Sequence, residues 1–418
     1  MSLSPSEEQP VRLLIRDLAQ VASPAGRTSP LRGAALRSID LVGNAYILCE
    51  GGRIAEVGTM RRLGSLADDV VEVDGRGLSA IPGLVDCHTH ACFAGDRVEE
   101  FSLRAAGATY EELHAQGGGI LSTVRATRAA GEAGLSAALA RHRAWMLRAG
   151  TTTFEAKSGY GLDRETELAQ LRVIQAAGGV PTWLGAHAVP PEFADDGADL
   201  YVDFLIQDVL PDAAPLSEAA DVFLERGAFD VEQARRVLSA CRSAGLGLRL
   251  HGDQFTEAGA IPLAMELGAR SVDHLESTGP GGIAALSSSA VVGVLLPASA
   301  LVLGRPMPPA RALVDAGAVI ALATDFNPGS AFCESLPLVC ALAATQLRLA
   351  PEEALAACTV NAAHVLSRAD RKGRLIPGFD ADIVLVAAED WRHLAYHLGG
   401  DVVHTVVEGG RIAWTARA

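Results

Sequence analysis

Short apolar runs recur along the middle of the chain, and stretches with a helical spacing of apolar residues separate them. The strand-like runs cover residues 83–86, 151–155, 181–185, 221–225, 247–250, 271–273, 291–296 and 319–323. Helical patterns include residues 135–149, 164–177, 231–244 and 258–267. Continuous apolar strands with helical crossovers are typical of a parallel sheet covered on both faces. Eight such units predict an α/β fold, a (β/α)8 TIM-like barrel.

Both ends of the chain show a different pattern, in which short runs of alternating residues are separated by glycine turns. These runs cover residues 45–48, 52–58 and 70–74 near the start, and 381–386 and 402–412 near the end. Such runs are typical of antiparallel β structure. We therefore expect a small β-sandwich domain built from residues 1–80 and 371–418, with a barrel over 81–370 and mobile first residues.

Composition narrows the possible partners of the chain. Its 418 residues are 49% hydrophobic and 20% charged, and the formal net charge is -15. This charge argues against a nucleic-acid partner or an anionic membrane surface, because both attract basic proteins.

The longest apolar stretch, residues 291–303, contains Pro297 and is too short to span a bilayer. The start, MSLSPSEEQPVRLL, lacks a signal-peptide layout, and the seven cysteines form no Cys-x-x-Cys pair, so we expect a cytoplasmic protein with reduced thiols.

Ionisable residues stand where seven of the eight predicted strands end. In strand order they are His88, His90, Lys157, His187, Glu225, His251, His274 and Asp325, while the seventh strand ends in Leu296-Pro297. Barrel enzymes place their chemistry at the carboxyl ends of the strands. His88 and His90 also share one face, because positions i and i+2 of a strand point the same way. These side chains should therefore meet at one mouth.

Imidazole and carboxylate groups without thiolates are typical ligands of zinc, iron or a similar ion. Three or four such ligands leave a coordination position for water, as a catalytic site requires. A bound zinc ion lowers the pKa of that water to about 7. A neighbouring carboxylate can accept the proton and pass it to a leaving nitrogen. The pattern therefore predicts hydrolysis of a C–N bond.

Longer phrases add a family resemblance to this chemistry. The chain contains, in order, PGLVDCHTHACFAGDRVEEF, GATYEELHAQGGGI, KSGYGL, GAHAVP, HGDQF and ATDFNPGS. With these phrases it resembles the imidazolonepropionase family of the metal-dependent amidohydrolase superfamily. The resemblance implies one divalent or trivalent metal ion per subunit, zinc or iron, held by His88, His90, His251 and Asp325. It also implies substrate contacts from Arg97, Tyr160, His187, Gln254, Asn327, Gly329 and Ser330.

The resemblance implies a hydrolase of histidine degradation that opens the cyclic amide of 4-imidazolone-5-propanoate to give N-formimidoyl-L-glutamate. The substrate would be a small imidazolone that carries a carboxylate, and the enzyme would be a homodimer. We expect Asp325 to transfer the proton, His274 to orient or polarise the attacking water, and Gln254 to act by hydrogen bonding. An amide is not a general acid or base at neutral pH.

Some alternatives remain open at the level of the sequence. A deaminase of a heterocyclic base is disfavoured by Gln254, where many deaminases of the superfamily carry a glutamate, and by the carboxylate-binding fork of Arg97. A non-catalytic scaffold barrel is disfavoured because every expected ligand is present. Glu225 replaces the bridging lysine of many two-metal members, which favours one metal. Arg97 could instead pair at the surface with Glu99 or Glu100, and Lys157 is either a second cation for the substrate or a strand-end lysine.

Overall fold

The structure is a computed structural model that describes residues 12–64, 70–107, 119–195 and 197–416. The first eleven residues, which we expected to be mobile, and most of the phrase GATYEELHAQGGGI lie outside the described residues. The strands are β1 (Arg12–Pro24), β2 (Ile39–Glu50), β3 (Arg53–Thr59), β4 (Val70–Asp74), β5 (Ser79–Pro82), β6 (Leu84–Asp86), β7 (Thr151–Lys157), β8 (Val180–Ala186), β9 (Ala219–Leu224), β10 (Gly247–Gly252), β11 (Ser271–His274), β12 (Val292–Leu295), β13 (Val319–Leu322), β14 (Ile383–Val386), β15 (Val403–Glu408) and β16 (Arg411–Thr415).

Helices follow most strands of the central sheet. They are α1 (Val98–Ala105), α2 (Ile120–Arg148), α3 (Arg164–Ala176), α4 (Ala198–Phe204), α5 (Leu210–Ala213), α6 (Val231–Ser243), α7 (Ala260–Leu267), α8 (Pro280–Ser287), α9 (Pro297–Val302), α10 (Ala310–Asp315), α11 (Leu336–Thr345), α12 (Pro351–Ala356), α13 (Ala362–Val365) and α14 (His393–Tyr396). Asp163 and Asp230 cap α3 and α6 by accepting hydrogen bonds from backbone N–H groups of the first turn. Helix α2 begins earlier than the pattern predicts and bends at Gly131, whose φ is 59°. In the part of the chain that the structure covers, no helix has the length and apolar character needed to cross a bilayer.

Strands β6 to β13 form the barrel in chain order, and neighbouring strands are parallel. The first and last strands meet just beyond their ends, where Thr89 pairs in parallel with Phe326. The N–H of His90 donates to the carbonyl of Phe326 at 2.9 Å, and the N–H of Asp325 donates to the carbonyl of His88 at 3.1 Å. Every residue of β7 and β8 is buried, as expected for strands of a parallel sheet that is covered on both faces. The predicted barrel is confirmed.

A second sheet combines strands from both chain ends. Its order is β16-β15-β14-β5-β1-β2-β3, with β4 paired to β1. The predicted β domain built from both chain ends is therefore confirmed, and its strands form one hydrogen-bonded sheet. The sequence pattern missed β1, because its register shifts between Ile15 and Leu18, where Asp17 has a φ of 57°. That irregularity interrupts the simple alternation by which strands are recognised.

The two sheets are connected at Gly83. The continuous apolar residues 80–85 are divided between the sheets, because β5 belongs to the terminal sheet and β6 to the barrel. A Cβ atom at position 83 would lie 2.3 Å from Oγ1 of Thr152, so this close approach requires glycine. Gly83 thus allows the chain to leave one sheet and enter the other immediately before the two histidines.

Candidate active site

Four side chains converge at the carboxyl ends of three barrel strands. His88 and His90 follow β6, His251 lies in β10, and Asp325 follows β13. The Nε2 atoms of His90 and His251 are 3.2 Å apart. Oδ1 of Asp325 lies 3.5 Å from Nε2 of His88 and 3.5 Å from Nε2 of His90. The structure therefore brings together the four residues that the resemblance implied as metal ligands.

The spacing and protonation of these atoms fit a metal ion. Ligand atoms at about 2.1 Å from a tetrahedral ion are about 3.4 Å from each other, close to the separations between these side chains. Burial lowers the pKa of His88 and of His90 well below the usual histidine range, and nearby positive groups add to the effect. Nε2 of His88 is buried and has no hydrogen-bond partner among the described residues. Neutral imidazoles with free lone pairs are what a cation requires.

Two carboxylates contact the Nδ1 atoms of two candidate ligand histidines. Nδ1 of His88 lies 2.6 Å from Oδ2 of Asp273, and Nδ1 of His251 lies 3.0 Å from Oδ2 of Asp221. A histidine that donates its Nδ1–H to a carboxylate directs the lone pair of Nε2 toward the metal. Sequence analysis missed both aspartates. The available signal was a carboxylate inside an otherwise apolar barrel strand, as in SVDH and ADVF.

Lys157 fits neither of the two roles considered for it. Its side chain is fully buried beneath the ligand histidines, and its ammonium contacts Oε1 of Glu155 at 2.7 Å and Oδ2 of Asp221 at 2.8 Å. A cation held in this way cannot reach the carboxylate of a substrate in the barrel mouth. It is also no ordinary lysine at a strand end, because a buried ammonium needs such partners.

His274 stands beside the same centre. Its ring lies 5.3 Å from that of His251 and 5.7 Å from that of His88, measured between centroids. His88, His274 and Asp325 form a second group of ligand atoms within 4.8 Å of one another. Nδ1 of His274 faces Oε1 of Glu276 at 3.4 Å. The φ of His274 is 90°, a strained value for a residue with a side chain, as is often found in active sites.

Arg97 lies at the rim of the mouth, half-buried against the loop that follows β13. Its Nε donates to Oγ1 of Thr123 at 2.9 Å. A Cβ atom at Gly329 would lie 2.3 Å from Nη1 of Arg97, so the guanidinium packs directly on that glycine. Among the described residues, no ion pair joins Arg97 to Glu99 or Glu100. The contacts thus favour the interpretation of Arg97 as a residue of the mouth.

Tyr160 and His187 form an aromatic wall next to His90. The ring of His187 stacks on that of His90 with centroids 5.3 Å apart, and the ring of Tyr160 lies 5.4 Å from that of His187. Burial raises the pKa of Tyr160, so its hydroxyl remains protonated. Burial, followed by the charge of His251, lowers the pKa of His187 to about 3. His187 Nδ1 donates to the carbonyl of Gly159 at 2.9 Å, which leaves Nε2 as an acceptor.

The loop after β13 is held together by the side chain of Asn327. Its Nδ2 donates to the carbonyl of Asp325 at 2.6 Å and to Oγ of Ser330 at 2.8 Å. Its Oδ1 accepts from the N–H groups of Gly329 and Ser330, both at 2.8 Å. Ser330 Oγ in turn donates to Oδ2 of Asp325 at 3.2 Å. The amide of Asn327 therefore organises the turn that fixes Asp325, while its contact with substrate stays a prediction.

Gln254 follows β10 in a short loop that Glu225 supports. The side chain of Gln254 is buried. Oε2 of Glu225 accepts from the N–H groups of Phe255 at 2.7 Å and Thr256 at 3.1 Å. Glu225 is therefore engaged by the loop, and among the described residues it belongs to neither group of candidate metal ligands. This agrees with a site for one metal ion.

Solved structures of other enzymes share this fold. An adenosine deaminase from Xanthomonas campestris, described with bound zinc, has a TM-score of 0.68 and 19% identity, covering 97% of this chain and 94% of that one. A triazine hydrolase from Arthrobacter aurescens has a TM-score of 0.70 and 19% identity, covering 96% of this chain and 94% of that one. At such identity these similarities establish the fold alone.

Sequence relatives are much closer. The model of the amidohydrolase family matches residues 79–413. An imidazolonepropionase of Rubrobacter xylanophilus is 60% identical over 407 residues, which cover 95% of this chain and 97% of the relative. An imidazolonepropionase of Chloroflexus aggregans is 48% identical over 426 residues, which cover 97% of this chain and 99% of the relative. With the barrel, the ligand cluster and these matches together, the chain belongs to the imidazolonepropionase family of the amidohydrolases.

Proposed function

We propose that the chain hydrolyses 4-imidazolone-5-propanoate to N-formimidoyl-L-glutamate, as an enzyme of histidine degradation. The observation that carries this proposal is the convergence of His88, His90, His251 and Asp325 beside a half-buried arginine, Arg97. The first feature suits metal-dependent hydrolysis of a C–N bond, and the second suits a substrate with a carboxylate. Full-length relatives named imidazolonepropionase support the same substrate.

One zinc or iron ion would be held by the three Nε2 atoms and Oδ1 of Asp325. When bound, such an ion acidifies water and polarises a carbonyl oxygen. The protein supplies imidazoles, which Asp273 and Asp221 orient through Nδ1 of His88 and His251. Imidazole and carboxylate ligands suit both metals, so the choice between zinc and iron belongs to metal analysis.

Arg97 would bind the propionate of the substrate through two parallel N–H···O bonds, because the guanidinium fork matches a carboxylate. Tyr160 and His187 would lie against the planar imidazolone ring, with the hydroxyl and Nε2 available for hydrogen bonds. Gln254 would donate or accept one more bond. Since an amide cannot transfer protons at neutral pH, its position disfavours deamination, for which a carboxylic acid would serve.

The proton transfers would involve Asp325. Water attacks the ring carbonyl carbon, and Asp325 takes the proton that water loses. The bond between that carbon and the ring nitrogen then breaks, and the same proton goes to the nitrogen as it leaves. Ser330 Oγ donates to the Asp325 carboxylate and Asn327 donates to the backbone carbonyl of Asp325, and the two contacts would keep this residue in place for both steps. His274, adjacent to Asp325, would orient the attacking water.

The test compares two rings and two arginine variants. Wild-type protein should hydrolyse imidazolone propionate and handle an imidazolone without the propionate poorly. A charge-assisted hydrogen bond contributes about 1.5–3 kcal/mol, so Arg97→Met should lower kcat/KM about 10²-fold. Arg97→Lys should recover part of the loss, because a point charge does not reproduce the fork. Metal content should be unchanged in both variants.

Two results would contradict the proposal. If the wild type turned over the truncated ring as well as the full substrate, Arg97 would not select a carboxylate. If neither ring were hydrolysed by protein that contains its metal, the substrate assignment would fail.

A further inference from the structure

A cluster of buried charges lies directly beneath the candidate metal ligands. Its centre is the ammonium of Lys157, the last residue of β7. Nζ lies 2.7 Å from Oε1 of Glu155, 2.8 Å from Oδ2 of Asp221 and 3.8 Å from Oδ2 of Asp273. All four side chains have 0% exposure. In such surroundings these contacts are strong, because no water competes for the charges.

The two aspartates are those that orient the ligand histidines. Oδ2 of Asp221 faces both Lys157 and Nδ1 of His251, and Oδ2 of Asp273 faces both Lys157 and Nδ1 of His88. His88 follows β6 and His251 lies in β10, so the two histidines come from well-separated strands of the barrel. One ammonium therefore connects the supports of two ligands.

We infer that Lys157 is a positioning residue of the metal centre, one that holds Asp221 and Asp273 at the angle from which they accept the Nδ1–H groups of His251 and His88. This inference rests on the ligand set of the proposed function. Without the ammonium, the two carboxylates would repel each other and turn apart. The Nε2 atoms of His88 and His251 would then no longer point to one shared position, and metal binding would weaken.

Arg249 provides a matched control. Its Nη1 lies 2.8 Å from the same Oε1 of Glu155, and its side chain is 4% exposed. Among the described residues it makes no ion pair with Asp221 or Asp273. Lys157→Met and Arg249→Met each remove one buried cation from the same glutamate. The cation of Lys157 contacts the two aspartates, whereas the guanidinium of Arg249 donates to the backbone carbonyls of Cys87 at 3.4 Å and Val365 at 3.5 Å.

The experiment measures the affinity of the full-length protein for Zn²⁺ by competition with a chromophoric chelator, and the visible spectrum of the Co²⁺-loaded protein. Lys157→Met should weaken Zn²⁺ binding about 10- to 100-fold, the usual effect of losing an outer partner of a ligand. It should also change the Co²⁺ absorption bands. Arg249→Met should leave both readouts as in the wild type. Equal losses in the two variants, or none in Lys157→Met, would overturn the inference.

Two conservative substitutions, Lys157→Arg and Arg249→Lys, test the same inference if either methionine variant fails to fold. Lys157→Arg keeps the charge but moves the donors, so it should weaken Zn²⁺ binding where Arg249→Lys does not. Equal affinities in this pair would reject the positioning role. Neither readout uses the imidazolone, so a wrong substrate leaves both unaffected. Wild-type protein that bound no Zn²⁺ would overturn the ligand set together with this inference.

Discussion

In the candidate ligands His88 and His251, the two ring nitrogens have different surroundings. Nδ1 of His88 and of His251 faces a buried carboxylate, whereas Nε2 of each ring faces the shared centre. His187 differs, because its Nδ1 donates to the backbone carbonyl of Gly159 and its ring stacks on that of His90. The candidate ligands His88 and His251 and the predicted substrate contact His187 thus differ in the partner of Nδ1.

This difference predicts opposite results for two alanine variants. His251→Ala should lose both the metal and the activity, because it removes one of four ligand atoms. His187→Ala should retain the metal and lose activity through weaker substrate binding. Metal content by elemental analysis, with turnover measured on the same samples, checks both. Activity in His251→Ala protein from which the metal has been removed would show that the hydrolysis does not need the metal.

Gln254 should act by hydrogen bonding. A neutral hydrogen bond contributes about 0.5–1.5 kcal/mol, so Gln254→Ala should lower kcat/KM up to about tenfold. Gln254→Glu should retain turnover but change its pH dependence, because a carboxyl group titrates and an amide does not. The measurement is kcat/KM against pH for the three proteins. Full activity in Gln254→Ala would mean that this residue does not contact the substrate.

At the scale of elements, single buried carboxylates hold loops and helix ends in place. Glu167 in α3 accepts hydrogen bonds from the N–H groups of Gly159, Gly161 and Leu162, and so fixes the loop that carries Tyr160. Glu353 in α12 accepts from the N–H of Ala350 at 2.7 Å. These acids organise elements near the site and outside it by the same means.

Glu353 gives a prediction about stability and pH. Burial alone would raise its pKa, but Arg311, the N–H of Ala350 and Arg37 outweigh burial and lower the pKa below the usual glutamate value. A group with a lowered pKa in the folded state stabilises the fold above its unfolded pKa, about 4.3, and loses this effect as the pH falls through the folded value.

Glu353→Gln should therefore destabilise the protein by about 1.5–3 kcal/mol at pH 7, the range for hydrogen bonds to a charged group. The difference from wild type should shrink as the pH falls below about 4.3. Urea unfolding at several pH values measures this difference. Glu352→Gln is the control, since it changes the neighbouring carboxylate and should have little effect. A difference that stays constant down to acidic pH would contradict the role of the charge.

At the scale of the whole molecule, the candidate metal centre connects distant parts of the barrel. Its ligands follow β6 and β13, which meet where the barrel closes, and lie in β10 on the other side. An ion present at a thousand times its Kd stabilises the folded state by about 4 kcal/mol. Removing the metal with a chelator should therefore lower the Tm of the wild type and leave that of His251→Ala unchanged. Equal Tm values for the wild type with and without chelator would show that the ligands do not bind an ion in the folded state.

The homodimer, the cytoplasmic location and the domain boundaries remain predictions from the sequence. The barrel itself could be predicted, because strands buried on both faces leave short, mostly apolar runs, and helical patterns separate these runs along the chain. Eight ionisable residues could also be placed at one mouth, since they stand at or next to strand ends and such ends share one face of any barrel. The family resemblance then selected four of them as candidate ligands: His88, His90, His251 and Asp325. These conclusions needed no knowledge of how distant residues pack.

Tertiary structure decided which buried charges support the ligands. Asp221, Asp273 and Lys157 lie on three different strands, and no local pattern shows that their side chains meet beneath the histidines. It also decided that residues 80–85 are shared between two sheets and that β1 joins the terminal sheet. The periodicity of apolar residues shows on which face of its own strand a side chain lies. Contacts between strands depend on register and closure, which the sequence pattern leaves undetermined and the packed barrel fixes.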